Sequence, residues 1–248
     1  MTLDRHRLDH ALLVRAMAPS RSRAGDLVRR GLVRVDGEVV TKPGAIVGSD
    51  ARIEIAGDAA RWVSRGAEKL VAGLATFGFE VMGRTALDVG TSTGGFTEVL
   101  LAKGAAKVIA VDVGEGQLHP RLREDPRVVS LERTDARAIT PALLGGLVGA
   151  IVADVSFISL EKALPAALGC AAPGAWLVAL VKPQFEVGRR SIGKGGIVRD
   201  AAARESAVAR IAAWLGGVPG WCVVGTVASP ITGGDGNAEV LIGAVHEC

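Results

Sequence analysis

Four residues set far apart in the chain, Lys69, Asp154, Lys182 and Glu239, have the types and settings that proton chemistry requires. Asp154 and Lys182 each interrupt a strongly apolar run, where an unpaired charge is costly, so a pair across neighbouring strand ends is the natural escape. A carboxylate beside two lysines, withdrawn from water, can take the proton of a weakly acidic hydroxyl. In that arrangement Lys182 is the base, with burial and a neighbouring Lys69 favouring loss of its own proton. Asp154 orients it and compensates its charge, and Glu239 holds Lys69 or a ribose. Taken singly, a lysine is more often a solvated surface group, and Glu239 could simply cap an edge strand.

The elements that must bring these residues together alternate between helical and extended patterns. A helix over 66–77 leads to a strand over 85–90, a glycine-rich turn, a helix over 96–104 and a strand over 106–114, which makes a βαβ unit. Strands follow over 128–132, 149–155 and 175–183, then a helix over 201–215. Two late strands, 221–229 and 237–245, suit the antiparallel edge of a mixed sheet. The pattern is a doubly wound, Rossmann-like α/β sheet.

The turn DVGTSTGGF (88–96) bears on the ligand. A dinucleotide fingerprint needs a second glycine two residues after the first, so that the backbone can approach a pyrophosphate, yet Ser92 stands there and Gly94 and Gly95 follow. Asp112 ends the next strand, where a carboxylate can accept hydrogen bonds from both ribose hydroxyls. Asp135, after the third strand, is placed to meet an adenine amine. Asp88, Gly90, Ser92, Thr93, Gly94, Gly95, Asp112 and Asp135 together favour S-adenosylmethionine, with NAD the second possibility. A donor of this kind arrives activated, so the protein has mainly to align an acceptor and remove its proton. The Asn/Asp-Pro-Pro-aromatic turn common in amino methylation is absent, Asp154-Val155-Ser156-Phe157 standing in its place, and neither Cys170 nor Cys222 ends a strand at the cofactor rim. A hydroxyl acceptor fits what remains.

Charge is uneven along the 248 residues. Residues 1–57 hold ten Lys/Arg against seven Asp/Glu, and the rest of the chain balances. Between 15 and 34, Arg15, Arg21, Arg23, Arg29, Arg30 and Arg34 face only Asp26. Arginine is suited to forked phosphate contacts, so this is a nucleic-acid footprint, to which Arg5, Arg7 and Arg65 add. Leu8, Leu12 and Leu13 keep helical spacing, Ser20 can cap a second helix carrying Ala24, Leu27 and Val28 before Gly31, and an Asp-Gly turn divides two strands over 32–40 ahead of a third over 51–55. The segment resembles the S4 RNA-binding domain. The domains are then 1–57, a linker over 58–64 containing Trp62, and a catalytic domain over 65–248. The alternative is a solvated helix pair with no partner.

Composition allows one well-buried core plus an appendage, since the chain is 49% hydrophobic with 33 glycines. A charged N-terminus without an apolar core segment, and the lack of any apolar run long enough to span a bilayer, point to a cytoplasmic protein with no membrane partner. Cys170, Cys222 and Cys248 lack metal-ligand spacing and read as reduced thiols, the first two buried. His6 and His10 are four apart with no suitable third ligand, so no metal is expected.

RGAEKL (65–70), LDVGTSTGGFTEVLL (87–101), DVSFISL (154–160), VKPQFEVG (181–188) and SPITGGDGNAEV (229–240) together resemble the TlyA family, in which an S4 domain is joined to an FtsJ-like methyltransferase. The resemblance implies 2'-O-methylation of a cytidine in ribosomal RNA, with Lys69, Asp154, Lys182 and Glu239 as a catalytic tetrad and ribosomal RNA or a ribosomal subunit as partner. The chain ends eight residues after Val240, with little room for the extension of broader-acting members, which points to large-subunit RNA. The loop VGRRSIGKGGIVRD (187–200) is expected to cover the substrate, with Arg189, Arg190, Lys194 and Arg199 meeting phosphates and its glycines letting it move; a plain connection is the alternative. With no tyrosine in the chain, a flipped base would lean on Phe157, Phe185 or an aliphatic wall. Two rivals differ in class. A non-catalytic RNA-binding assembly factor would tolerate loss of Lys182, and a lytic protein, as the hemolysin label of the family suggests, would damage membranes without a cofactor.

Overall fold

A computed structural model of the chain describes residues 5–57, 61–188 and 191–247. It divides between Arg65 and Gly66 into two compact units, each with its own core.

The N-terminal unit runs β1 (Arg5–Arg7), α1 (Leu8–Val14), α2 (Arg21–Arg29), β2 (Val33–Val35), β3 (Glu38–Val39), β4 (Ile46–Gly48) and β5 (Ile53–Ile55). Leu8, Leu12, Ala24, Leu27 and Val28 bury one face of each helix over Val33, Val47 and Ile53, whereas Leu13 turns to solvent. Ser20 caps α2 by accepting from the Arg23 amide at 3.2 Å. Asp36 and Gly37, with φ of 52° and 88°, form the hairpin turn of β2 and β3, whose handedness suits the strand twist. The antiparallel pairing of β1 with β4 was not legible in the sequence, because RHR is three polar residues without apolar alternation.

The second unit continues with α3 (Gly66–Phe77), β6 (Thr85–Val89), α4 (Gly95–Ala102), β7 (Lys107–Val111), α5 (Pro120–Arg123), β8 (Val128–Leu131), α6 (Pro141–Leu144) and β9 (Val148–Ala153). It closes with α7 (Leu160–Ala163), α8 (Pro165–Leu168), β10 (Ala171–Val181), α9 (Pro183–Glu186), α10 (Ala201–Gly216), β11 (Trp221–Ala228) and β12 (Val240–His246). The seven strands are ordered β11-β12-β10-β9-β6-β7-β8. Strands β6 to β10 are parallel, and β12 runs antiparallel to both β10 and β11. The central strands are nearly continuous apolar runs because helices cover both faces, while β11 at the edge alternates buried and exposed. Cys222 therefore lies exposed on β11, contrary to the expectation of burial, and Cys170 is buried.

Chain order reverses between β6 and β9, and a crevice opens at the carboxyl ends of strands at such a point. Gly90 sits there with φ of 83°, and a Cβ on it would lie 2.8 Å from the Asp154 carbonyl oxygen. Only glycine permits both that conformation and that approach.

Candidate active site

Sheet register assembles the charged residues. Val181 pairs with Val240, so Lys182, one residue beyond β10, and Glu239, one residue before β12, leave the sheet side by side. Ala153 pairs with Ala179 of β10 and Val89 of β6, which sets Asp154 between Lys182 and the turn at Gly90. Lys69 reaches in from α3, one helical turn before Gly73, whose backbone packs on Val178 and Leu241.

Two ion pairs result. Lys182 Nζ lies 2.6 Å from Asp154 Oδ1 and donates to Ser156 Oγ at 2.8 Å. Lys69 Nζ donates to Glu239 Oε2 at 2.5 Å, both side chains being almost wholly buried. A buried pair is expensive to break from one side, since the remaining charge has no solvent. The lysines thus each take a carboxylate partner rather than lying against one another. Gly233 makes room for Glu239, because a Cβ there would stand 2.7 Å from Glu239 Oε1.

Two cavities adjoin this cluster. One of about 420 Å³ is lined by Lys182, Glu239, Gln184, Asp235, Phe157 and Phe185 among others. The second, about 470 Å³, lies at the strand crevice and is lined by Gly90, Ser92, Asp112, Asp135 and Asp154 with apolar walls including Val111, Val113, Ala136 and Ile158. Ser156 and Phe157 border both, so Lys182 and Asp154 sit where the two spaces meet.

The crevice suits a nucleoside. Asp112 accepts from the amides of Ser92 and Gly114, each at 2.7 Å, which fixes its carboxylate and leaves further lone pairs. Three acidic residues and, among the described residues, no arginine or lysine line it. Asp154 and Asp135 are paired with Lys182 and Arg137, which leaves Asp112 as the carboxylate open to a ribose, and the lining itself offers no lysine or arginine to a pyrophosphate. The residues present fit S-adenosylmethionine and disfavour NAD.

Other expected contacts lie elsewhere. Asp88 is wholly buried behind the turn, where its Oδ2 accepts from Thr97 Oγ1 at 2.6 Å, and it does not line the crevice. Burial pushes its carboxyl up to about 7, partly offset by Thr97 and reinforced by the nearby Asp154 and Asp112. Thr93, Gly94 and Gly95 shape the start of α4 instead of touching the cavity. Asp135 does line it, but its carboxylate is occupied by the Arg137 amide at 2.9 Å and guanidinium at 2.5 Å, which holds it down at about 2. An adenine amine would have to share those lone pairs.

The acceptor side contains residues that sequence reasoning missed. Asn237, fully buried, accepts from the Val198 amide and donates to the Gly196 carbonyl, both at 2.9 Å, and so ties residues 196–198 to the segment before β12. Its own amide and side chain also donate to Asp235. Burial opposes ionisation of Asp235, yet these bonds and one from Gln184 outweigh it and hold its carboxyl below the usual range. The only sequence signal was the polar TGGDGN run before an apolar strand. Lys194 is exposed on a short turn of this loop, and Arg189 and Arg190 lie outside the described residues. Phe157, 91% exposed with φ of 65°, tilts against Phe185 at a ring separation of 5.0 Å. An exposed aromatic in a strained backbone position is a feature of ligand sites.

In the N-terminal unit the arginines separate into two groups. Arg23 is only 4% exposed and bonds Asp26 at 2.8 Å, while Arg15 donates to the carbonyls of Ala51, Gly48 and Ser49 at 2.6 to 3.1 Å. These two are spent inside the fold. Asp26 also lies within 4 Å of Arg30 and Arg65, at 3.7 and 3.6 Å. Arg7 and Arg21 stay half-exposed around Asp9, and Arg5, Arg29 and Arg34 are exposed.

A mixed seven-stranded sheet in this order, with an acidic nucleoside crevice opening onto a lysine and carboxylate cluster, defines an α/β methyltransferase. Known proteins agree. A family model described as FtsJ-like methyltransferase matches residues 62–245, and one described as S4 domain matches 7–53. The 16S/23S rRNA (cytidine-2'-O)-methyltransferase TlyA of Mycobacterium tuberculosis is 51% identical over 242 residues, covering 96% of this chain and 89% of that protein. The 23S rRNA (cytidine-2'-O)-methyltransferase TlyA of Campylobacter jejuni is 37% identical, over 72% of this chain and 68% of that one. A hemolysin-labelled structure from Streptococcus thermophilus superposes with a TM-score of 0.75 at 38% identity, covering 99% of this chain and 90% of that chain. The chain belongs to the TlyA family of FtsJ-like methyltransferases, with an S4 domain ahead of the methyltransferase domain. Among the described residues no helix is long and apolar enough to cross a membrane.

Proposed function

We propose that this protein methylates the 2'-hydroxyl of a cytidine in ribosomal RNA, using S-adenosylmethionine. The observation that carries the reading is the Lys182–Asp154 pair at the junction of the acidic crevice and the cavity lined by Lys182, Glu239, Phe157 and Phe185. S-adenosylmethionine supplies, when bound, a methyl group already activated by its sulfonium. Gly90, Ser92, Asp112 and Asp154 would hold it, with the apolar walls taking the adenine.

The chain's own residues then have one proton to move. A ribose hydroxyl entering the 420 Å³ cavity beside the crevice meets Lys182, and the Lys182–Asp154 pair takes its proton as the oxygen becomes a nucleophile. Ser156 fixes the lysine's direction through its hydrogen bond. Lys69 and Glu239 form a buried brace beneath, and Glu239 presents its carboxylate edge to the same cavity. Phe157 and Phe185 offer a face for the target base. The exposed arginines of the S4 domain hold the RNA through its phosphates. The Mycobacterium tuberculosis relative is described as acting on 16S and 23S RNA and the Campylobacter jejuni relative on 23S RNA, so large-subunit RNA, common to both, is the proposed target.

The test is transfer of labelled methyl from S-adenosylmethionine to unmodified small and large ribosomal subunits, followed by mapping of the label to base or ribose. Ribose label on a large-subunit cytidine is expected, and Lys182→Ala is expected to abolish transfer while keeping cofactor binding. Base label, or full turnover by Lys182→Ala, would overturn the mechanism.

A further inference from the structure

Gln184 is a polar side chain only 8% exposed that lines the same cavity as Lys182. Its Nε2 donates to Asp235 Oδ2 at 3.1 Å. Asp235 is in turn held by the amide of Asn237 at 3.1 Å and its side chain at 2.9 Å, and those bonds favour its ionised form. An acceptor-only carboxylate decides which way the Gln184 amide points, because the flipped amide would set oxygen against oxygen. The consequence falls on the other end of the amide. Gln184 Oε1 has almost no accessible surface and no hydrogen-bond partner among the described residues, so a donor reaches it only as the side chains around it move aside. Native interiors seldom leave such an acceptor unpaired, and one beside a substrate cavity is suited to a donor that arrives with the substrate.

We propose that Gln184 reads the 4-position of the target base, its Oε1 accepting the exocyclic amine of cytosine. This rests on the ribose-methylation reading given above. Cytosine carries an amino donor at the position where uracil carries a carbonyl acceptor, so a fixed amide oxygen attracts one base and repels the other. Asp235 and Asn237 act through Gln184 as positioning residues. The aromatic pair at Phe157 and Phe185 is indifferent to base identity, since every base has a face to stack, so discrimination has to come from a polar group such as this one.

The test first maps the methylated position with the wild-type enzyme. RNA is then prepared with cytidine, uridine or the pyrimidin-2-one nucleoside, which is cytidine without its amine, at that position. The wild-type enzyme is expected to prefer cytidine over either alternative by about 100-fold or more in kcat/KM, because a site built to bond a polar group rejects analogues lacking it. Gln184→Met, similar in length and without an acceptor, is expected to treat cytidine and the pyrimidin-2-one within about threefold of each other, a residual that apolar contacts alone would leave. Its S-adenosylmethionine affinity should match the wild type, and its melting temperature should fall only by what the lost bond to Asp235 contributes. The pyrimidin-2-one comparison alters only the RNA, so it reads the contact even where a variant folds poorly. Equal use of cytidine and pyrimidin-2-one by the wild type, or an undiminished preference in a folded Gln184→Met, overturns the assignment while ribose methylation stands. Failure to label the ribose of any RNA overturns the function and this inference together.

Discussion

Replacing Asp88 by asparagine should change how the stability of the methyltransferase domain depends on pH. Asp88 is wholly buried, its Oδ2 bonded to Thr97 and its Oδ1 without a hydrogen-bond partner among the described residues, and desolvation raises its carboxyl from the ordinary 3.8 to about 7. Between those two values the folded protein keeps a proton that the unfolded chain has released. Stability from this group is therefore complete below about pH 4, falls as pH rises, and is lost once pH passes about 7. At about 1.4 kcal/mol per pH unit, the loss amounts to about 3 kcal/mol between pH 5 and pH 8. The asparagine side chain of Asp88→Asn is neutral throughout and can still accept from Thr97, so it resembles the protonated acid. Denaturant unfolding of both proteins at several pH values, followed by the fluorescence of the tryptophans in the second unit, gives the difference directly. The variant should gain on the wild type by about 3 kcal/mol across that window, other groups cancelling in the comparison. A difference that stays flat from pH 5 to pH 8 would refute the argument, and would mean that Asp88 is solvated or paired in solution.

Gly90→Ala should lower stability by about 2 kcal/mol or more and abolish cofactor binding in calorimetric titration, since a Cβ there meets the Asp154 carbonyl at 2.8 Å in a left-handed backbone. Arg23→Ala should destabilise the S4 domain by about 2 kcal/mol, because it empties the space of a side chain only 4% exposed and removes its bond to Asp26, even though Arg30 and Arg65 remain beside that carboxylate. Arg21→Ala should leave melting within about 0.5 kcal/mol of wild type yet weaken RNA binding and reduce the slope of its salt dependence by about one. Asn237→Ala removes the bonds to Val198 and Gly196, and hydrogen exchange should report faster opening at the Val198 amide by about 2 kcal/mol, with the sheet amides unchanged.

The type and order of the main elements were legible in the sequence because their causes are local. Apolar runs of strand length, helical spacing in 66–77 and 201–215, and the Asp-Gly hairpin are each decided within a few residues. Of the four candidate catalytic residues, Asp154 and Lys182 stood out for a related reason, since a charge that interrupts an apolar strand needs a partner whatever the fold, whereas Lys69, on a helix, and Glu239 had ordinary readings of their own and were grouped with them by the family resemblance. Which partner was not legible. The pairing of Lys182 with Asp154 and of Lys69 with Glu239 follows from the β10–β12 register and from the approach of α3, contacts made across up to 170 residues of chain.

The arginines show the same division. Their number and one-sided distribution between 15 and 34 mark a phosphate-binding segment, and that is a property of composition. Whether a given guanidinium faces solvent or is spent on Asp26 or on backbone carbonyls depends on three-dimensional neighbours, so Arg15 and Arg23 were read as surface groups when they serve the interior. The fixed amide of Gln184 and the bracing role of Asn237 belong wholly to tertiary structure. Each rests on a hydrogen bond to a segment some 40 to 50 residues away in sequence. Local patterning determined what this chain could build and which chemistry it carried, and packing decided which polar atoms were satisfied and which were left for a substrate.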